Sequence, residues 1–249
     1  MVYNLLDHGH SVVAFNRSPE AVERVEAKGA VGVRSIDEFA GKLKGRKIFW
    51  IMVTVGKPVD EVIKSLLPHL KKGDVVIDGG NSFFKDSIRR GKQLEKRGIQ
   101  FLDVGVSGGI EGARHGACMM VGGHAAAFKV LQPAIADMCV QDGYGYMGKP
   151  GAGHFVKMVH NGIEYGMMAA IAEGMQAVQK FSKTFGTDLS SVAKVYAHGS
   201  IVTSRLMSWL ESGMSRKDFA TISGVVPKGE TEEEMEKLEK LATMKILQE

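Results

Sequence analysis

Up to Pro150 the chain alternates short apolar runs with amphipathic ones, and after Pro150 it does not. That change of rhythm constrains the fold more than any other feature. Strands are predicted at 11–15, 31–33, 47–55, 75–78, 101–106, 119–121 and 144–147. Between them lie helical patterns: one ending before Gly9, then 19–28, 37–43, about 58–70, 85–97 and 125–138. Alternation with short connections implies a parallel sheet, doubly wound with helices on both faces. The run at 47–55 is apolar throughout, which marks a strand covered on both faces. Beyond Gly148-Lys149-Pro150-Gly151 only helices are predicted, at 153–185, 189–197, 201–211 and 231–247. The chain therefore divides into an α/β domain at 1–149 and an all-helical domain at 150–249.

The first long helix of the second part carries a contradiction. From Gly151 it reads G-A-G-H-F-V-K-M-V-H-N-G-I-E-Y, and through Ala172 it is apolar on every side. A helix apolar all round is expected to be buried. Yet Lys157, His160, Asn161, Glu164 and Tyr165 recur at i, i+3, i+4, i+7 and i+8, which places them on one face. Burying Lys and Glu without partners costs several kcal/mol or shifts their pKa values. Either a polar ligand meets this face or Lys157 and Glu164 satisfy each other in an internal network with His160 and Asn161. In the last predicted helix, Thr231 with Glu234 forms a capping box. There Met235, Leu238, Leu241, Ala242 and Ile246 form the apolar stripe, facing the core or a partner.

Three breaks fall just past predicted strands, at the edge where open parallel sheets bind ligands. Asn16-Arg17-Ser18 ends the first strand. In a dinucleotide fold this position reads the adenosine ribose, where an arginine pairs with a 2′-phosphate and favours NADP over NAD. Asp78-Gly79-Gly80-Asn81 ends the fourth strand, opening the backbone and offering the Asn81 amide. Ser107-Gly108-Gly109 ends the fifth and adds a hydroxyl. Each break taken singly is equally a plain turn or a solvated surface. His8, His10 and His115 read as solvated histidines, and Lys85, Arg89 and Arg90 as one exposed helix face. The methionines from Met158 to Met175 read as core filler.

Composition narrows the partners. No basic tract is interleaved with aromatics, which argues against nucleic acid, and no apolar run reaches membrane length. The net charge of +4 suits a small anion without demanding one. Cys118 and Cys139 are the only cysteines; with no secretory signal ahead of the first element they read as reduced cytoplasmic thiols. No ligand cluster has metal spacing.

Taken together, V-I-D-G-G-N-S at 76–82, V-G-V-S-G-G-I-E-G-A at 104–113 and the 151–166 motif resemble the decarboxylating 6-phosphogluconate dehydrogenases of the pentose phosphate pathway, the short-chain branch most closely. The resemblance runs to about Gly213. It implies a Rossmann-like dinucleotide domain followed by a helical substrate and dimerisation domain. It implies NADP, or NAD, as cofactor, a sugar-phosphate acid as substrate, and a homo-oligomer, dimer or tetramer. Lys157 is then general base and later acid, and Glu164 the acid that completes the reaction. Asn81, Ser107, Gly108, Gly109, His160, Asn161 and Tyr165 are then substrate contacts. Met52, Val53, Thr54 and Asn81 would lie against the cofactor, with Asn16, Arg17 and Ser18 at its ribose.

The chain also departs from that pattern. It starts inside the first helix, without the strand and G-x-G-x-x-G turn that open such domains. It ends before the family's C-terminal tail. Thr203 stands where the family places a phosphate-binding arginine, with Arg205 two positions on. These departures predict a chain incomplete at both ends. Two other readings compete with the decarboxylase: a related 3-hydroxyacid dehydrogenase, and a catalytically silent remnant that serves as a dimerising helical module.

Overall fold

The computed structural model describes residues 1–222 and 230–242. It divides into two compact units, Met1–Met158 and Val159–Glu249. In the first unit the order is α1 (Val2–Asp7), β1 (Val13–Phe15), α2 (Pro19–Glu26), β2 (Val31–Val33), α3 (Ile36–Lys42), β3 (Ile48–Ile51) and α4 (Lys57–Leu66). It continues with β4 (Val75–Asp78), α5 (Phe84–Glu95), β5 (Gln100–Ser107), α6 (Gly109–His115), β6 (Ala117–Gly123), α7 (Ala125–Asp137) and β7 (Cys139–Gly148). Helix α8 (Ala152–Phe185) starts there and runs on into the second unit, followed by α9 (Leu189–Ala197), α10 (Arg205–Met214) and α11 (Glu230–Ala242).

The strands form two sheets. β1 and β2 pair in parallel, and a five-stranded sheet runs β3-β4-β5-β6-β7. Within the larger sheet β6 is antiparallel to β5, which corrects the all-parallel expectation. The physical reason is the connection. Only residues 108–116 separate β5 from β6, and a parallel crossover needs a dozen or more. Helix α6 occupies that connection; its G-I-E-G-A-R-H lacks an apolar period, so the sequence predicts no helix there.

Each face of the larger sheet builds a core. On one, Val75, Ile77, Leu102, Val104, Met119 and Val121 pack against Ala127, Leu131 and Ile135 of α7. On the other, Phe49, Ile51, Val76 and Phe101 pack against Val59, Ile63 and Leu66 of α4 and Leu94 of α5. Alternate residues of β3 and β4 thus feed opposite layers, the period-two consequence of the pleat. β3 is shorter than the 47–55 apolar run. It ends at Ile51, and Met52 and Val53 project from its end, 52% and 36% exposed.

The unit boundary lies nine residues beyond the 149/150 division expected from sequence, because the opening turns of α8 dock on the sheet. A side chain at Gly153 would put its Cβ 2.4 Å from the Asp103 carbonyl oxygen and 2.5 Å from that of Met120. Only glycine lets the helix come that close. The rest of α8 corrects a second expectation. Ile163, Met167, Met168, Phe181 and Phe185 are 41–75% exposed in the single chain, so this apolar helix is not buried within it. In α11 Leu238 is buried and Leu241 is exposed. The Thr231 and Glu234 side chains, Ala242's side chain and Ile246 lie outside the described residues.

Cys118 is exposed, while burial, and then the neighbouring Cys118, pushes the Cys139 thiol up to about 12. Alkylation at pH 8 is therefore expected to label Cys118 at least ~100-fold faster than Cys139, since thiolate is the nucleophile. Peptide mass spectrometry over a time course reads both sites; equal rates would contradict the burial.

Candidate functional site

Three turns lie at the C-terminal ends of β1, β3 and β4, and a fourth follows β5. After β1, Asn16, Arg17 and Ser18 are exposed. The Asn16 Oδ1 accepts from the Ser18 backbone N–H at 2.9 Å, closing the turn before Pro19 starts α2. The Ser18 hydroxyl donates to Glu20 at 2.5 Å and holds that carboxyl below its usual range. Arg17 stands on this turn as an exposed cation. After β3, Met52, Val53 and Thr54 are exposed, and after β4 come Gly79, Gly80 and half-buried Asn81.

A buried arginine joins two of these turns. Arg90 of α5 is 1% exposed, which corrects its reading as part of an exposed helix face. Its Nε donates to Asp60 at 2.8 Å, its Nη1 to Asp78 at 3.1 Å, and its Nη2 to the Gly56 carbonyl at 2.9 Å. Burial raises the Asp60 carboxyl, but the bonds from Arg90 and Arg89 outweigh it and leave it below the ordinary value. Two signals in the sequence point to this cluster. Asp78 sits inside a strand buried at every position, and Arg90 lies one turn before the core residue Leu94. A buried carboxylate demands a cation or a set of hydrogen-bond donors.

The turn after β5 brings Ser107 to Gly108 and Gly109. Two residues upstream, Gly105 accommodates Lys157: a Cβ at Gly105 would lie 2.3 Å from the Lys157 Cβ. Lys157 itself is 9% exposed. Asp103, fully buried on the same strand, fixes the start of α8. Its Oδ1 accepts from the Gly151 N–H at 2.7 Å and its Oδ2 from the His154 N–H at 2.9 Å. This is a helix N-terminus satisfied by a carboxylate from a distant strand, favourable for the orphan donors and for the helix dipole. The His154 Nδ1 meets the Ser87 hydroxyl at 2.7 Å, adding a buried polar tie to α5. One strand thus both anchors α8 and seats Lys157.

In the second unit, the His160 Nδ1 lies 3.3 Å from the Asn161 Oδ1 and 3.7 Å from a Glu164 oxygen. Asn161 is 7% exposed, whereas Glu164 is half-buried and Tyr165 is 36% exposed. Thr203 Oγ1 donates to the Tyr196 carbonyl at 3.1 Å. The Arg205 guanidinium stacks 5.6 Å from the Trp209 ring centroid. Among the described residues, no cluster of His, Cys, Asp and Glu could hold a metal ion, and no helix is long and apolar enough to cross a membrane.

A mostly parallel sheet with open turns at its strand ends, followed by a helical unit, is the architecture of the nicotinamide-dinucleotide oxidoreductases. More narrowly, the chain belongs to the 6-phosphogluconate dehydrogenase family. Residues 1–148 match the NAD binding domain of 6-phosphogluconate dehydrogenase, and residues 153–208 match its C-terminal domain. The chain is 46% identical over 215 residues to a Bacillus subtilis protein provisionally named 6-phosphogluconate dehydrogenase YqeC, covering 86% of this chain and 70% of that protein. It is 39% identical over 234 residues to the NAD(+)-dependent decarboxylating 6-phosphogluconate dehydrogenase of Haloferax volcanii, covering 93% of this chain and 77% of that one. Among solved structures, Plasmodium falciparum 6-phosphogluconate dehydrogenase superposes with a TM-score of 0.86 at 28% identity, over 98% of this chain and 56% of its own. The chain spans only 42% of a longer decarboxylating relative.

Proposed function

We propose that this chain serves the oxidative decarboxylation of 6-phospho-D-gluconate to ribulose 5-phosphate and CO2, with NADP, or alternatively NAD, as oxidant. The observation that carries this reading is Lys157, seated over Gly105 on the strand that leads into Ser107-Gly108-Gly109. The amine of Lys157, a residue only 9% exposed, would take the proton from the C3 hydroxyl, and a nicotinamide cofactor held by Arg17, Met52, Val53, Thr54 and Asn81 would supply the hydride acceptor. The resulting 3-keto acid loses its carboxylate because the ketone accepts the electrons. Lys157, now protonated, stabilises the developing enolate. Glu164 then supplies the proton at C1. Asn81, Ser107, Gly108, Gly109, His160, Asn161 and Tyr165 hold the sugar acid through hydroxyls, amides and backbone N–H groups.

The residues present fit a dinucleotide. Arg17 is an exposed cation at the end of β1, and Met52 and Val53 are exposed apolar surface at the end of β3. Such surface suits a nicotinamide ring, and Thr54 and Asn81 offer polar contacts beside it. Arg17→Asp is expected to weaken NADP binding by roughly 1.5–3 kcal/mol, the value of a charge-assisted phosphate contact, and NAD far less. Calorimetric titration with both cofactors checks this, and equal losses would remove Arg17 from the 2′-phosphate. The exposed Ile163, Met167, Met168, Phe181 and Phe185 on α8 fit burial against a second copy of the chain.

The test of the function is a steady-state assay with 6-phosphogluconate and NADP. One CO2 released per NADPH supports the reading. NADPH formation without CO2 would move it to a plain hydroxyacid dehydrogenase. Binding of neither ligand would leave the dimerising-module reading.

A further inference from the structure

We propose that Arg90 is a positioning residue that locks the turn after β3 to the turn after β4, so that the cofactor-facing and substrate-facing residues move as one piece. This rests on the assignment of Met52, Val53, Thr54 and Asn81 made above. Gly56 and Asp60 open α4 directly after residues 52–54, and Arg90 donates to both, at 2.9 and 2.8 Å. Asp78 and Ser82 bracket Gly79, Gly80 and Asn81, and the same guanidinium donates to both, at 3.1 and 3.3 Å. The Asp78 carboxylate also accepts the Gly80 N–H at 3.2 Å, which ties the arginine to the glycine turn itself.

A planar fork with five donors reaches four acceptors on two segments at once; the point charge of a lysine does not. A buried ion pair is a weak device for stability, because desolvation offsets the attraction. Fixing geometry is the better use of such a group. Arg90 is 1% exposed and Asp78 fully buried, so water does not replace the bond between them when it is lost.

The experiment compares Arg90→Lys, Ser82→Ala and a control, Leu94→Ala, which thins the same helix's core without touching either turn. Amide hydrogen exchange is followed in peptides covering 52–56 and 79–82. Binding of NADP and of 6-phosphogluconate is measured by calorimetry. Arg90→Lys is expected to speed exchange in both turns on the order of tenfold and to weaken both ligands. Ser82→Ala is expected to loosen only the 79–82 turn. Leu94→Ala lowers the unfolding midpoint and leaves the two turns and both affinities within about twofold. The proposal is overturned if Arg90→Lys speeds exchange evenly across the unit, as a core defect does, or loosens one turn without the other. Should Arg90→Lys not fold, Ser82→Ala and Asp60→Asn decide: each must loosen its own turn and weaken ligand. If the wild-type chain binds neither ligand, the functional reading fails, and the exchange pattern alone still decides the coupling.

Discussion

Asp103→Ala is expected to destabilise the first unit by about 3–5 kcal/mol, the combined cost of two buried donors left unpaired and a small cavity. Asp103 is fully buried, and both its oxygens accept backbone N–H groups at the start of α8. Alanine leaves both donors buried and unsatisfied, at roughly 1–3 kcal/mol each, and opens a small cavity. Asparagine keeps one acceptor oxygen but loses the charge, so Asp103→Asn should fall between the wild type and alanine. Urea unfolding followed by circular dichroism gives the numbers. An alanine variant within about 0.5 kcal/mol of wild type would show that the carboxylate does not anchor the helix. The effect should reach the site as well, because the turn that Asp103 holds is followed one helical turn later by Lys157.

The anchor explains part of what the sequence made legible. The switch at Pro150 from alternating strands and helices to helices alone was readable because period two and period 3.6 leave different apolar spacings. Helix α9 has the bounds predicted for it, 189–197, and the structure adds that Asp188 caps it, accepting the Ser191 N–H at 2.8 Å. The turns that carry Asn16, Asn81 and Ser107 were readable as breaks after apolar runs. Other features depend on distant parts of the chain. The one hint local to α5 is the i, i+4 spacing from Arg90 to the core residue Leu94; the partners that hold Arg90 inward, Asp60 and Asp78, lie thirty and twelve residues away. The reversal of β6 depends on the length of its connection, not on its composition. The uncovered face of α8 was misread because an apolar surface in the sequence does not say whether its cover comes from the same chain. Asp103 was passed over for a similar reason. Its partners are backbone groups some fifty residues on, and no side-chain pattern announces them.

Lys157→Met and Glu164→Gln, taken together, separate the competing chemistries. Methionine matches the length of the lysine stem and keeps its packing over Gly105, so the fold should survive while the base is lost. General acid–base groups contribute about 10²–10⁴-fold, and Lys157 acts at both proton transfer and enolate stabilisation, so Lys157→Met should reduce turnover at least ~10³-fold. Substrate affinity should change far less, because the hydroxyl and amide contacts remain. Glu164→Gln keeps the shape and removes only the proton at C1. In a decarboxylase it should cost on the order of 10²-fold in overall turnover while a single-turnover burst of NADPH persists, since oxidation precedes the step that needs the acid. In a plain hydroxyacid dehydrogenase no second acid is needed, and Glu164→Gln should be nearly neutral. Rapid-quench measurement of NADPH and CO2 in the two variants reads both outcomes. A Lys157→Met variant that still oxidises the sugar acid at the wild-type rate would exclude this lysine as the base. A neutral Glu164→Gln beside a dead Lys157→Met would keep the oxidation and discard the decarboxylation.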